Sequence, residues 1–160
     1  MPALAGAGLA AVELAVSLAF GSVPQLTTAD LAALQAKPGQ QLMLVDVRSP
    51  AEFAVSHLPG AIHFDGAPSA LPIPSGPVTV VVYCSVGYRS SEFAQALLLS
   101  QRKDASDAVR IVNLRGSLFR WALEGRPLVD AAGQPTRRVH GFNAFWARLL
   151  PADRVVLDSR

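Results

Sequence analysis

VTVVVYCSVGYRSSEFAQALLLSQ (residues 78–101) places a strand, a turn and a helix back to back around a single thiol. VTVVVY (78–83), a β-branched run of strand length, is the strongest strand signal in the chain. SSEFAQALLLSQ (90–101) carries Phe93, Ala94, Leu97 and Leu98 at helical spacing. Ser90, Ser91 and Glu92 are residues that favour a helix start. Cys84, the only cysteine of the chain, stands between the two.

That position predicts a chemical role. The N–H groups at a helix start have no partner inside the helix and carry partial positive charge. Gly87 can take φ > 0, so the turn can curl and aim several N–H groups at one centre. A thiol inside such a ring is favoured as the thiolate, and Arg89 adds positive charge if it turns inward. The spacing therefore predicts a nucleophile in an anion cradle rather than a buried structural cysteine. Two chemistries fit. Phosphate-ester hydrolysis resembles the tyrosine-phosphatase pattern, in which five residues separate Cys from Arg; here four do. It also needs an acid for the leaving oxygen, and Asp46, Asp65 and Asp130 are the aspartates considered for it. Transfer of sulfane sulfur through a Cys84 persulfide suits the tighter ring.

The rest of the chain repeats the strand–helix alternation. QLMLVDV (41–47), a continuous apolar run, reads as a strand buried on both faces, VRIVNL (109–114) as a further strand and AIHF (61–64) as a short one. Ser49, Pro50 and Glu52 spell a capping box with proline at the first helical position. QLTTADLAALQA (25–36) reads as a short helix capped by Thr27 or Thr28, and 116–128 as one ended by Gly125 and Pro127. Arg48 and Glu52, four apart, are expected to form a scaffold ion pair or cap. Strands alternating with helices imply an α/β fold with a parallel sheet covered on both faces. Right-handed crossovers then bring Asp46 and Cys84 to one rim of the sheet, where ligands bind in such folds.

Two segments flank this unit. Residues 1–24 are apolar, but no Lys or Arg precedes them and Glu13 sits in the middle. A helix docked on the domain is expected rather than a targeting segment or membrane anchor, although contact with a membrane stays open. Residues 131–160 are expected to form an extension whose amphipathic helix, 139–151, docks with Phe142, Phe145, Trp146 and Leu149 on one face. His57 is expected to bond backbone at its turn. His63 and His140 have no second ligand type nearby in sequence, and no metal or other cofactor is expected.

Composition narrows the function classes. The chain has 160 residues, 51% of them hydrophobic, enough for one domain with a full core. Residues 1–101 hold three bases against six acids (net −3), and 102–160 hold eleven against six (net +5). The bases are dispersed and not interleaved with aromatic readers, so nucleic acid is not an expected partner. A lone cysteine rules out an internal disulfide, and a reducing, cytoplasmic setting is the simplest.

Three segments together resemble one family. LVDVRSPAEFAVSHLPGAIHF (44–64), VVYCSVGYRSSEFAQAL (81–97) and NLRGSLFRWALEGRPL (113–128) are similar, in order, to the signatures of single-domain rhodaneses, the thiosulfate sulfurtransferase-like family. Ser56 and Arg115 stand where that family usually has glycine. The resemblance covers about residues 25–130. It implies a three-layer rhodanese-like fold, with Cys84 as persulfide carrier and the backbone of Ser85, Val86, Gly87, Tyr88, Arg89 and Ser90 as cradle. Arg89 would help bind an anionic donor, and Asp46, Arg48, Glu52 and His57 would be scaffold at the rim. The implied partners are a small anionic sulfur donor, thiosulfate or a persulfide, and a thiol, cyanide-like or protein acceptor. The alternatives are an interaction module on the same fold with little turnover, and a phosphatase or arsenate reductase.

Overall fold

The computed structural model describes residues 2–101 and 108–158; Met1, residues 102–107 and residues 159–160, which include the outer ends of both flanking segments, lie outside the described residues. Five parallel strands form the central sheet in the order β1-β5-β4-β2-β3. They are β1 (Gln25–Leu26), β2 (Leu42–Asp46), β3 (Ile62–His63), β4 (Val78–Tyr83) and β5 (Val109–Leu114). β4 and β5 have the bounds their β-branched runs predict. All six residues of β4 are buried, as a strand with helices over both faces requires.

Alternate β4 residues feed two cores. Val80 and Val82 join Ala94 and Leu97 of α4 (Tyr88–Gln101); Val81 and Tyr83 join Leu31 of α2 (Thr28–Gln35) and Leu118, Phe119 and Trp121 of α5 (Ser117–Leu123). The helix α1 (Pro2–Ala19) gives Leu9 to the second core and Val16 to the first, so it crosses from one face to the other. Its Glu13 is buried and accepts from Arg120 Nε at 2.6 Å, with Arg115 at 3.5 Å. A charge in an apolar helix is thus met by two arginines of the domain. No helix among the described residues is long and apolar enough to cross a membrane.

Three elements differ from expectation. β1 is an added edge strand, two residues long and paired with Asn113 and Leu114, too short to leave a periodicity. α4 begins at Tyr88, not Ser90. Gly87 turns the chain at φ 105°, and Ser91 N–H already bonds to its carbonyl. The two serines face inward, buried, instead of capping. The expected helix over 139–151 does not form. Its place is taken by β8 (Val139–His140), paired with β9 (Val155–Val156), and a 3-10 turn at Trp146–Leu149. Between them Phe142 sits at φ 64°, and Asn143 Oδ1 accepts the N–H groups of Phe145 and Trp146, which stops a helix from propagating back. Phe142 and Phe145 are exposed, so they do not share a buried face with Leu149. A small hairpin, β6 (Leu128–Val129) with β7 (Pro135–Thr136), joins α5 to this segment.

The rim is fixed by an ion pair. Asp46 ends β2, and its carboxylate takes Arg48 Nε at 2.9 Å and Nη2 at 2.6 Å, both side chains fully buried. Arg48 Nη2 also donates to Ser56 O at 2.7 Å, tying the strand to the far end of α3 (Pro50–Val55). The expected Arg48–Glu52 pair is therefore absent: Arg48 precedes the cap Ser49, lies outside the helix, and reaches back to Asp46. Burial opposes the Arg48 charge, but its bonds to Asp46 outweigh it and raise its pKa. Arg48→Met leaves the Asp46 carboxylate buried and unpaired, and should cost about 3–5 kcal/mol in urea unfolding. Adding Asp46→Leu to that variant should restore roughly half of the loss or more; a double variant as unstable as the single one would refute the desolvation account.

Candidate active site

Cys84 follows β4 directly and is 1% exposed. Its Sγ receives Gly87 N–H at 3.2 Å and lies 3.4 Å from Ser90 Oγ. Its own N–H donates to Ser117 Oγ at 3.2 Å, which couples the loop to the start of α5. The N–H groups of Tyr88, Arg89 and Ser90 open α4, where no intrahelical acceptor exists. A Cβ at Gly87 would come 3.4 Å from Asn113 Nδ2, and its φ of 105° would strain any side chain. The loop from Cys84 is thus a three-residue turn, Ser85–Gly87, followed by the first turn of α4, with the Gly87 N–H on the sulfur.

Ser90 Oγ also donates to Asn113 Oδ1 at 2.6 Å, and Asn113 Nδ2 to Gln25 Oε1 at 2.8 Å. Ser90 and Asn113 are fully buried. This polar line from the thiol to the edge strand was missed by sequence reasoning. A polar Asn in the apolar run VRIVNL, just where the strand meets the rim, was the signal.

Glu52 joins the other side of the loop. Its carboxylate accepts Arg89 Nη1 at 3.0 Å and Nη2 at 2.8 Å, Ser85 Oγ at 3.1 Å, and Ser49 N–H at 3.0 Å. The capping box read from SPAEF is present, with Ser49 Oγ returning a bond to Glu52 N–H at 3.2 Å. Burial pushes the Glu52 pKa up, yet Arg89, the Ser49 N–H and Arg48 outweigh it and hold it at about 2. Arg89 is likewise raised: burial opposes its charge, but Glu52 and then the Cys84 sulfur favour it. Its guanidinium lies 4.8 Å over the ring of Phe142.

The remaining expected residues divide as follows. Asp46 and Arg48 stand at the rim as one buried unit. His57 bonds the Phe53 carbonyl through Nδ1 at 3.0 Å and stacks on the Phe53 ring at 3.8 Å, in keeping with a turn residue. His63 donates to Arg48 O at 2.7 Å, and His140 meets Asp158 at 3.1 Å. Among the described residues no group of His, Cys, Asp and Glu has the arrangement of a metal site. Tyr88 is half exposed, its ring edge-on to Phe20 at 5.1 Å. Above the loop opens a cavity of about 160 Å3, with Cys84, Ser85 and Val86 as floor, Tyr88 and Arg89 as walls from α4, and Phe142 and Trp146 as walls from the C-terminal segment. None of the three aspartates considered as acids lines it; Asp130 accepts the N–H groups of Ala132 and Gln134 instead.

The low Glu52 pKa has a sign that can be checked. Its stabilisation is complete above about pH 4.5 and is lost as pH falls toward 2. The stability advantage of the wild type over Glu52→Gln should therefore shrink by about 3 kcal/mol between pH 5 and pH 2, read by urea titration. Parallel pH dependences for the two proteins would show that the carboxylate is not coupled to Arg89.

Comparison with known proteins agrees with this geometry. A rhodanese-like domain model matches residues 27–124. A sulfurtransferase of Allochromatium vinosum is 35% identical over 98 residues, covering 59% of this chain and 84% of that one. The probable adenylyltransferase/sulfurtransferase MoeZ of Mycobacterium tuberculosis is 34% identical over 96 residues, 56% of this chain but only 22% of its own length. The structure of a thiosulfate sulfurtransferase from Pseudomonas aeruginosa superposes with a TM-score of 0.61 at 27% identity, covering 88% of this chain and 26% of that one. These relatives support sulfur transfer in general. With the five-stranded parallel sheet and the cysteine loop at its rim, they show that the chain belongs to the rhodanese-like domain family.

Proposed function

We propose that the protein is a sulfurtransferase that carries sulfane sulfur on Cys84. The observation that supports this most is the Cys84 Sγ inside its cradle, with Gly87 N–H at 3.2 Å and the floor of an open cavity around it. The thiolate attacks the terminal sulfur of a donor. The donor's S–S bond breaks, its electron pair leaves with the donor remnant, and Cys84 holds a persulfide anion. An acceptor nucleophile then takes the terminal sulfur, and the thiolate returns. The N–H groups that open α4 suit this cycle because they can favour negative charge first on Sγ and then on the sulfur one bond further out.

Four residues between Cys84 and Arg89, and an Arg89 bound to Glu52, argue against phosphate transfer, which needs a wider ring and a free guanidinium. The interaction-module reading differs in a measurable way, because it requires no sulfur on Cys84.

Incubated with thiosulfate or inorganic polysulfide and then cyanide, the protein should yield thiocyanate, and Cys84→Ala should yield none above the uncatalysed rate. Before cyanide is added, the intact mass should rise by one sulfur atom in the wild type alone. Equal thiocyanate from the two proteins, or no mass gain with any donor, would overturn the proposal.

A further inference from the structure

Part of the wall of the cavity above Cys84 comes from outside the stretch of chain that matches the family. That match ends at residue 124, whereas Phe142 and Trp146 lie beyond it. Their placement is built in. Phe142 holds φ 64°, a conformation that is strained for an aromatic residue and persists only where its surroundings enforce it. Its N–H donates to His140 Nδ1 at 3.1 Å, and His140 is buried in the β8–β9 pair. Trp146 is held by Asn143 Oδ1, and the turn it opens packs on α1, where a Cβ on Gly8 would come 2.9 Å from Leu149. Gly141 is similarly crowded, with Ala147 Cβ 2.8 Å from where its own would stand.

The charge of the cavity is as informative as its shape. Arg89 is the one cation among the lining residues, and both its terminal nitrogens are on Glu52. Its guanidinium face is covered by Phe142. A small dianion entering here meets aromatic carbon and a neutralised arginine before it reaches the N–H cradle. A single aromatic ring meets surfaces it can stack on, in a space of about 160 Å3. An apolar cavity of about 150 Å3 is known to take benzene.

The geometry points to Phe142 and Trp146 as specificity-determining residues that select a sulfur donor with a compact apolar body, an aryl or alkyl thiosulfonate or an organic persulfide, over inorganic thiosulfate. This rests on the Cys84 persulfide proposed above and adds the donor class. With a thiosulfonate, R–SO2–S⁻, the Cys84 thiolate attacks the terminal sulfur. The S–S bond breaks, the pair leaves with the sulfinate R–SO2⁻, and Cys84–S–S⁻ remains. With an organic persulfide the leaving group is the thiolate R–S⁻. No further oxidant or reductant enters. The body R rests between Phe142, Trp146 and Tyr88 while its sulfur points down at Sγ.

The test is the ratio of kcat/KM for benzenethiosulfonate to that for thiosulfate in cyanolysis. The wild type should favour benzenethiosulfonate by about tenfold or more, the size of selection that a small apolar contact gives. Phe142→Ala with Trp146→Ala should bring the ratio close to one, mainly by raising KM for benzenethiosulfonate. Phe142→Leu, which keeps an apolar body at the strained position, should fall between. A wild type that favours thiosulfate, or a ratio unchanged in folded variants, would overturn the donor assignment while the persulfide, read by intact mass, stands. Absence of a mass gain with either donor and with polysulfide would overturn both.

Discussion

The Glu52 carboxylate ties the reactive loop to the scaffold. One oxygen pair closes the α3 cap at Ser49, holds the Ser85 hydroxyl and binds both terminal nitrogens of Arg89. α3 follows β2 and the cysteine loop follows β4, so this one side chain locks together two crossovers 33 to 37 residues apart. A charged group with such low exposure is tolerated only because every lone pair is used. The same bonds decide the chemistry of the rim. An arginine committed to a carboxylate is a strut, and in the proposed sulfur transfer any negative charge on the sulfur would be left to backbone N–H groups.

Backbone donors would suit the proposed persulfide cycle, in which the sulfur chain changes length. A persulfide extends the chain of atoms by one S–S bond, and a ring of N–H groups at a turn and a helix start offers partners at more than one depth. Gly87 makes the ring possible, since its φ of 105° is where the chain reverses and an added Cβ would press toward Asn113. The buried line from Ser90 through Asn113 to Gln25 completes the support from below, and explains why a two-residue edge strand belongs to the site.

Sequence patterns carried the sheet and the loop because both rest on local rules. The β-branched run VTVVVY marked β4, the Val- and Ile-rich VRIVNL marked β5, and the S-P-x-E cap marked α3. What escaped them rests on partners distant in sequence. Arg48 and Glu52 have helical spacing yet choose Asp46 and Arg89, because the cap at Ser49 leaves one of them outside the helix. The segment 139–151 has helical apolar spacing, but Val139 and His140 are claimed by Val155 and Val156, and Asn143 closes a turn on its own side chain. Trp146 and Leu149 do pack against the core, but Phe142 and one side of Trp146 line the cavity, a position that composition and period alone do not encode.

The attachment of α1 also bears on how the chain comes to be folded. Glu13 meets Arg120 across 107 positions, and the core that holds Leu9 is completed by Leu118 and Leu150, so the full set of partners of this helix is made late. At ordinary translation speeds its partners follow about 5–20 seconds later. For that interval an apolar helix must persist with its sticky side uncovered, a state prone to aggregation. The carboxylate at its centre discourages entry into lipid while it waits. Glu13 would then act twice: first as a solubilising charge on a nascent segment, and later as the anchor that two arginines recognise.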